Sequence, residues 1–164
     1  LRFVPSTYQI LAWKFFDRSV DQRWADWAVE MMLAGFETES LPMLALLEKP
    51  YNQFELKELT DRILDELGLS NQDKGLVMCN YASYLINLGI KEERDISSVL
   101  NSLKDMYLAL DGDATFLNFY LLAYAKEDLN FSEVQYYWDG ADRTNIDKII
   151  SEEFQKWIRT YPIS

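Results

Sequence analysis

The chain contains no histidine and a single cysteine, Cys79. Without imidazole it lacks the commonest general acid/base, the commonest metal ligand and every Ser-His or Cys-His nucleophile pair. With one thiol and no histidine, an ordinary tetrahedral zinc site has no ligand set. An intrachain disulfide cannot form either, which points to a reducing compartment. Cys79 closes the apolar run Leu76-Val77-Met78-Cys79 and has no cation near it in sequence to activate the thiol. It reads as a small buried hydrophobe.

Glycine and proline are also scarce, at six and four residues, and no Pro-rich, Gly/Ser-rich or low-complexity stretch divides the chain. Residues 1–164 therefore read as one domain. No Walker A sequence and no G-x-G-x-x-G is present, so phosphate-cradling glycine loops have no support. The longest apolar block, 116–125, is interrupted by Asn118 and falls far short of the roughly 20 residues that span a bilayer. Residues 1–5 do not form a secretory leader. The expectation is a cytoplasmic protein with no membrane span, no metal and no cofactor.

What is abundant is hydrophobic material and negative charge. Apolar residues make up 49% of the chain, too much for a disordered polymer. The net charge of −11 repels nucleic acid and anionic lipid and favours a basic protein partner.

The apolar residues follow a helical period. Ile96, Val99, Leu100, Leu103, Tyr107 and Leu110 form one stripe, and Ile146, Ile149, Ile150, Phe154, Trp157 and Ile158 form another. Trp24, Trp27, Ala28 and Met31 mark an earlier helix, and Leu56, Leu59, Ile63 and Leu67 a fourth. Five segments resemble capping boxes: Ser6-x-x-Gln9, Ser19-x-x-Gln22, Asn52-x-x-Glu55, Ser70-x-x-Asp73 and Ser132-x-x-Gln135. Gly35, Gly68, Gly89 and Gly112 each follow an apolar run, where helices stop.

These signals predict helices over 7–18, 20–34, 40–48, 53–67, 71–88, 95–110, 114–126, 132–139 and 145–160. The fold class is all-α, a compact bundle of eight or nine short helices that could include hairpin repeats. Segments 75–88 and 114–125 are apolar on most faces and are expected at the centre of the bundle.

Two acidic groupings read as structural. Asp111-Gly112-Asp113 resembles the start of a calcium loop, but Phe116 and Leu122 stand where the loop needs glycine and glutamate. A helix junction capped by Asp113 explains it better. Glu58, Asp61, Arg62 and Asp65 form a solvated helix face with a weak Glu58–Arg62 pair.

The stretch 111–142 is different. It holds seven acidic residues against one base, Lys126, a local net of −6. Phe131 and the run Tyr136-Tyr137-Trp138 lie inside it. Tyr and Trp beside acids suit a protein interface, since they combine apolar area with a polar tip. The partner-binding candidates are Asp111, Asp113, Glu127, Asp128, Tyr136, Tyr137, Trp138, Asp139 and Asp142. Closure of a short helix core is the competing reading of the aromatic run.

Residues 24–69 also carry a resemblance. Trp24-Ala25 through Gly35, then 44–47, Asn52-Gln53-Phe54-Glu55 and Glu66-Leu67-Gly68 resemble a pattern in small acidic helical bacterial proteins of unassigned function. Some proteins of this general kind serve as immunity proteins against toxins, and the resemblance implies no active site.

The leading expectation is a non-catalytic intracellular protein-binding module, of which an immunity- or antitoxin-like protein is one form, that masks a basic partner. A structural or homo-oligomeric helical module is the alternative. A carboxylate-based hydrolase acting on a sugar or a magnesium-bound phosphate is the third.

Overall fold

The computed structural model describes residues 1–163, and among them every regular element is helical. The order is α1 (Thr7–Phe15), α2 (Gln22–Leu33), α3 (Leu41–Ala45), α4 (Gln53–Glu66), α5 (Lys74–Ile90), α6 (Ile96–Ala109), a one-turn 3-10 helix (Ala114–Phe116), α7 (Leu117–Phe131) and α8 (Ile146–Thr160). The fold is all-α, and none of these helices is long and apolar enough to cross a membrane. The chain divides into two units, Leu1–Tyr81 and Ala82–Ser164, with the division inside α5.

The first unit is organised around tryptophan. Trp13 of α1 and Trp24 and Trp27 of α2 are all at most 2% exposed, alongside Ile10, Met31, Leu44 and Ile63. The Trp27 indole Nε1 donates to Thr7 Oγ1 at 2.9 Å, so its polar end is satisfied inside the core. Trp13 and Trp24 pack with ring centroids 5.9 Å apart, and neither Nε1 finds an acceptor among the described residues. The Arg23 guanidinium lies 4.4 Å from the Trp13 centroid, a cation–π contact that caps the ring pair.

Polar side chains tie the helices of this unit together. The Gln53 carboxamide bonds both the N–H (2.8 Å) and the carbonyl (2.9 Å) of Val20, which pins the α1–α2 connection to the start of α4. Lys14 Nζ reaches Asp61 at 2.7 Å, Thr60 Oγ1 at 3.0 Å and the Lys57 carbonyl at 3.4 Å. Asp61 is therefore joined to α1, while Glu58 and Arg62 do not form the expected pair. They project from exposed positions, where pairing gains little over hydration.

In the second unit α6 and α7 form the most extensive helix pair. Phe116 and Phe119 turn inward against Trp157 of α8, at centroid distances of 5.6 and 5.4 Å. The Trp157 Nε1 donates to the buried Ser83 hydroxyl (3.0 Å), which in turn donates to the Tyr161 carbonyl (2.7 Å). Lys126 of α7 bonds Asp147 of α8 at 2.7 Å. The relay satisfies polar groups that the aromatic packing draws inward, whereas the ion pair joins α7 to α8 at the surface.

Several expectations need correction. Of the five capping boxes only Asn52 caps as written, accepting from the Glu55 N–H at 3.3 Å. Asp21 rather than Ser19 caps α2, and Asp73 rather than Ser70 caps α5, accepting from the Leu76 N–H at 2.8 Å. Both are carboxylates next to the first helical residue, where they also meet the positive helix end. Ser6 precedes α1 but makes no cap bond: its backbone is helical rather than extended, and its hydroxyl turns to donate to Glu30.

Gly89 does not end a helix. It lies within α5, and a Cβ there would come within 3.3 Å of the Phe154 ring, so glycine allows the close approach of α8. The turn after α5 is made instead by Glu92 at φ 59°. Segments 75–88 and 114–125 are not buried all round either. Leu76 is exposed, and Tyr120, Leu121 and Tyr124 are only half-buried. Cys79 is likewise half-buried rather than enclosed. Finally, 132–139 is not a helix but an irregular loop.

The tryptophans yield a differential test. Trp→Phe removes similar volume at 24 and 27. At 24 it deletes an orphaned donor, whereas at 27 it removes the donor to Thr7 Oγ1, which keeps only its weak bond to Met31 Sδ at 3.6 Å. Trp27→Phe is expected to lower unfolding free energy by about 1 kcal/mol more than Trp24→Phe, measured by chemical denaturation. Equal losses would show that the indole N–H of Trp27 contributes nothing net.

Candidate interaction surface

Helix α7 separates the nine candidate residues into two groups. Asp111 and Asp113 precede it, whereas Glu127 and Asp128 occupy its last turns and the other five follow it. At 1.5 Å per residue the two ends lie roughly 20 Å apart along the helix. An unbroken series of rings connects them. Tyr107 of α6 meets Tyr120 at 4.5 Å, Tyr120 meets Tyr124 edge-on at 5.0 Å, and Tyr124 stacks with Tyr137 at 5.3 Å. The missing Cβ of Gly112 makes room for the Tyr107 hydroxyl at the first end.

The ladder has a simple origin in sequence. Tyr120, Tyr124, Glu127 and Phe131 repeat at i, i+4, i+7 and i+11, so one face of α7 carries two rings, an acid and a third ring. The Lys104 ammonium of α6 lies 5.3 Å from the Tyr124 centroid. Lys104 makes no ion pair or hydrogen bond to any described residue, in a chain rich in carboxylates. Its partner is the ring.

The loop after α7 is irregular but held at many points. The Gln135 side-chain oxygen accepts from the N–H groups of Tyr137 and Trp138, both at 2.8 Å, and its NH₂ donates to the carbonyls of Trp138 and Ala141. Sequence reading placed Gln135 as the reciprocal end of a Ser132 cap. Instead Ser132 ends α7, and its hydroxyl receives the Val134 N–H. Further on, Asp142 accepts from the Thr144 hydroxyl and N–H and from the Asn145 N–H, while Arg143 Nε donates to the Leu129 carbonyl at 2.8 Å. Side chains satisfy this backbone in place of helical bonds.

The candidates consequently have different roles. Asp113 caps the 3-10 turn through the Thr115 N–H at 2.9 Å, as the sequence suggested. Hydrogen bonds from the Thr115 backbone and hydroxyl hold its carboxyl below the ordinary value of 3.8. The Thr144 hydroxyl, then its N–H, does the same for Asp142. Tyr137 is committed to Tyr124, and Trp138 is half-buried. Tyr136 is 92% exposed, and Phe131 and Val134, a few residues before it, are exposed at 85% and 53%. Glu127, Glu133 and Asp139 are exposed in the same stretch, Asp128 is half-buried at the end of α7, and Asp111 is exposed at the opposite end.

Sequence reading missed Val134, Gln135, Lys104 and the tyrosines of α6 and α7. The i, i+4 spacing of Tyr120 and Tyr124 was a visible signal. The meeting with Tyr107, Lys104 and Tyr137 was not.

Elsewhere, a depression of about 380 Å³ in the first unit has a floor of Leu11, Leu64 and Leu69, with Lys14 and Asp61 at its edge. Lys14 already uses its donors within the fold. A groove of about 240 Å³ between α6 and α7 is lined by Lys104, Lys126, Glu127 and Asn130. No group of three or more Cys, Asp or Glu is arranged to hold a metal ion among the described residues.

Gln135→Ala is expected to speed amide hydrogen exchange at Tyr137 and Trp138 by about tenfold, the effect of losing roughly 1.4 kcal/mol of local stability. The far-UV circular dichroism should be unchanged, because no helix is involved. The carboxyls of Asp113 and Asp142 are lowered on folding, so their stabilisation is present above about pH 3.8 and is lost as pH falls through the lowered values. The Thr144 amide proton shift should therefore hold constant from neutral pH to about 4 and move only below it.

Comparison with known protein families, with curated proteins and with solved structures finds no match to this chain.

Proposed function

We propose that this chain is a non-catalytic binding module that engages a basic protein partner through the acidic, aromatic surface of its second unit. The observation that carries this reading is the trio Phe131, at the end of α7, and Val134 and Tyr136, just after it, all exposed where the chain enters a loop whose backbone is hydrogen-bonded at Val134, Tyr137 and Trp138. Large apolar side chains on a preorganised backbone lose little entropy on binding and serve as anchors. Glu127, Glu133 and Asp139 are exposed in the same stretch of chain, and the whole chain carries −11. Such a field accelerates encounter with a basic protein and disfavours acidic ones.

The mechanism is occlusion. Acidic steering brings the partner in, the aromatic anchors dock, and the covered surface of the partner is withheld from its own target. No bond is made or broken. An immunity- or antitoxin-like role inside a cell fits this mechanism.

The test uses the purified chain as bait in native extract, in parallel with a Phe131→Ala/Tyr136→Ala double variant. The expected result is a basic protein retained by the original chain at low salt, released at high salt and lost by the variant. Direct titration of that protein should give a Kd at least about tenfold weaker for the variant. If both baits retain the same proteins with equal affinity, the loop is not the docking surface. A stable homo-oligomer that buries the loop between copies would instead favour a structural module.

A further inference from the structure

The tyrosine ladder carries a cation of its own. Lys104 lies over the Tyr124 ring without a carboxylate partner, whereas Lys14, Lys57 and Lys126 are all paired with acids. Lys104 and Tyr124 are both half-buried, so water still reaches the lysine–aromatic contact and weakens it enough to be exchanged. Tyr124 is also well placed for a different cation. Glu127 and Asp128 stand three and four residues further along α7, on the same side of the helix.

We infer that Tyr124 is a seat for an arginine side chain of the partner, and that Lys104 fills this seat in the free protein and is displaced on binding. The inference rests on the basic-partner reading above and specifies how the partner is recognised. A guanidinium is planar and weakly hydrated. It can stack on the ring while its edge donates to a carboxylate one turn away. The Lys104 ammonium is compact and strongly hydrated, and it makes the ring contact alone. Arginine therefore gains two interactions where the resident lysine has one. Tyr137 stacks against Tyr124 at 5.3 Å and Tyr120 meets it edge-on, so the ring is held in place before any partner arrives. Lys104 also lines the open groove between α6 and α7, which provides room for its ammonium once displaced.

The seat makes two demands on affinity that overall charge does not. Arginine should be preferred to lysine at equal charge, and removing Lys104 should help more than removing another surface lysine. Lys148 is the control. Its side chain is 80% exposed, and its nearest acid, Glu152, lies 4.0 Å away.

The probes are two fluorescently labelled peptides of equal length and charge, one of alternating arginine and glycine, the other of alternating lysine and glycine. Binding is followed by fluorescence anisotropy at low salt with the full chain, Lys104→Met and Lys148→Met. The two variants change net charge equally. The arginine peptide is expected to bind the unaltered chain about threefold more tightly than the lysine peptide, and Lys104→Met about threefold more tightly again. Lys148→Met should give less than half of that gain. Equal gains from the two variants, or equal affinity for the two peptides, overturn the seat while leaving the basic-partner reading intact. If the unaltered chain binds neither peptide, the basic-partner reading fails and the seat fails with it.

Discussion

The second unit depends on one constraint, which is that helix α7 has apolar side chains on two faces. Phe116, just before it, and Phe119 point inward, where Trp157 and Phe154 of α8 receive them. Tyr120 and Tyr124 point elsewhere, and their phenol groups suit a boundary with water. Tyr107 from α6 and Tyr137 from the following loop cover them. The direction of the chain after α7 follows from this second demand. A segment that must lay Tyr137 against Tyr124 cannot continue as a helix from 132, and its backbone is satisfied by Gln135, Asp142 and Asn145 instead.

Charge is distributed in a complementary way. Cations are few in this acidic chain, and several join elements: Lys14 ties α1 to α4, and Lys126 ties α7 to α8. Each of these lysines is mostly buried at the pair, where attraction is less screened than on the open surface. Other acids lie outside, and exposed Glu127, Glu133 and Asp139 fall in the stretch where Phe131, Val134 and Tyr136 are also exposed. A surface that is both acidic and apolar in one place is suited to a partner that is basic and apolar in one place.

The fold was legible in sequence wherever side chains act through spacing. The stripes of α2, α4, α6 and α8 bury most of their residues, from Trp24 and Trp27 to Phe154 and Trp157, while Leu67, Ile96, Tyr107, Leu110, Ile149 and Ile158 are half-buried. Signals that depend on local competition were less legible. Ser19 and Asp21 both offer a cap for α2, and the carboxylate closer to the helix takes it. Gly89 reads as a stop because glycine so often follows a helix. Here it serves packing, since the Phe154 ring comes within 3.3 Å of where a Cβ would stand. Ser132-x-x-Gln135 has the letters of a capping box, but no helix follows for it to cap. In the candidate surface the acids and the Tyr136–Trp138 run were visible, because composition and charge are local properties.

By itself, then, the sequence determined the all-α class, the faces of the long helices, the absence of histidine chemistry and the concentration of acid between 111 and 142. These are properties of neighbours along the chain, which helical periodicity and charge counting read directly. Only the tertiary structure decided that Tyr107, Tyr120, Tyr124 and Tyr137 form one ladder, that Lys104 rests on it, and that Tyr136 is exposed while Tyr137 is anchored. Adjacent tyrosines have the same propensity and polarity. What separates them is which ring lies opposite in space, and that depends on residues more than ten positions away.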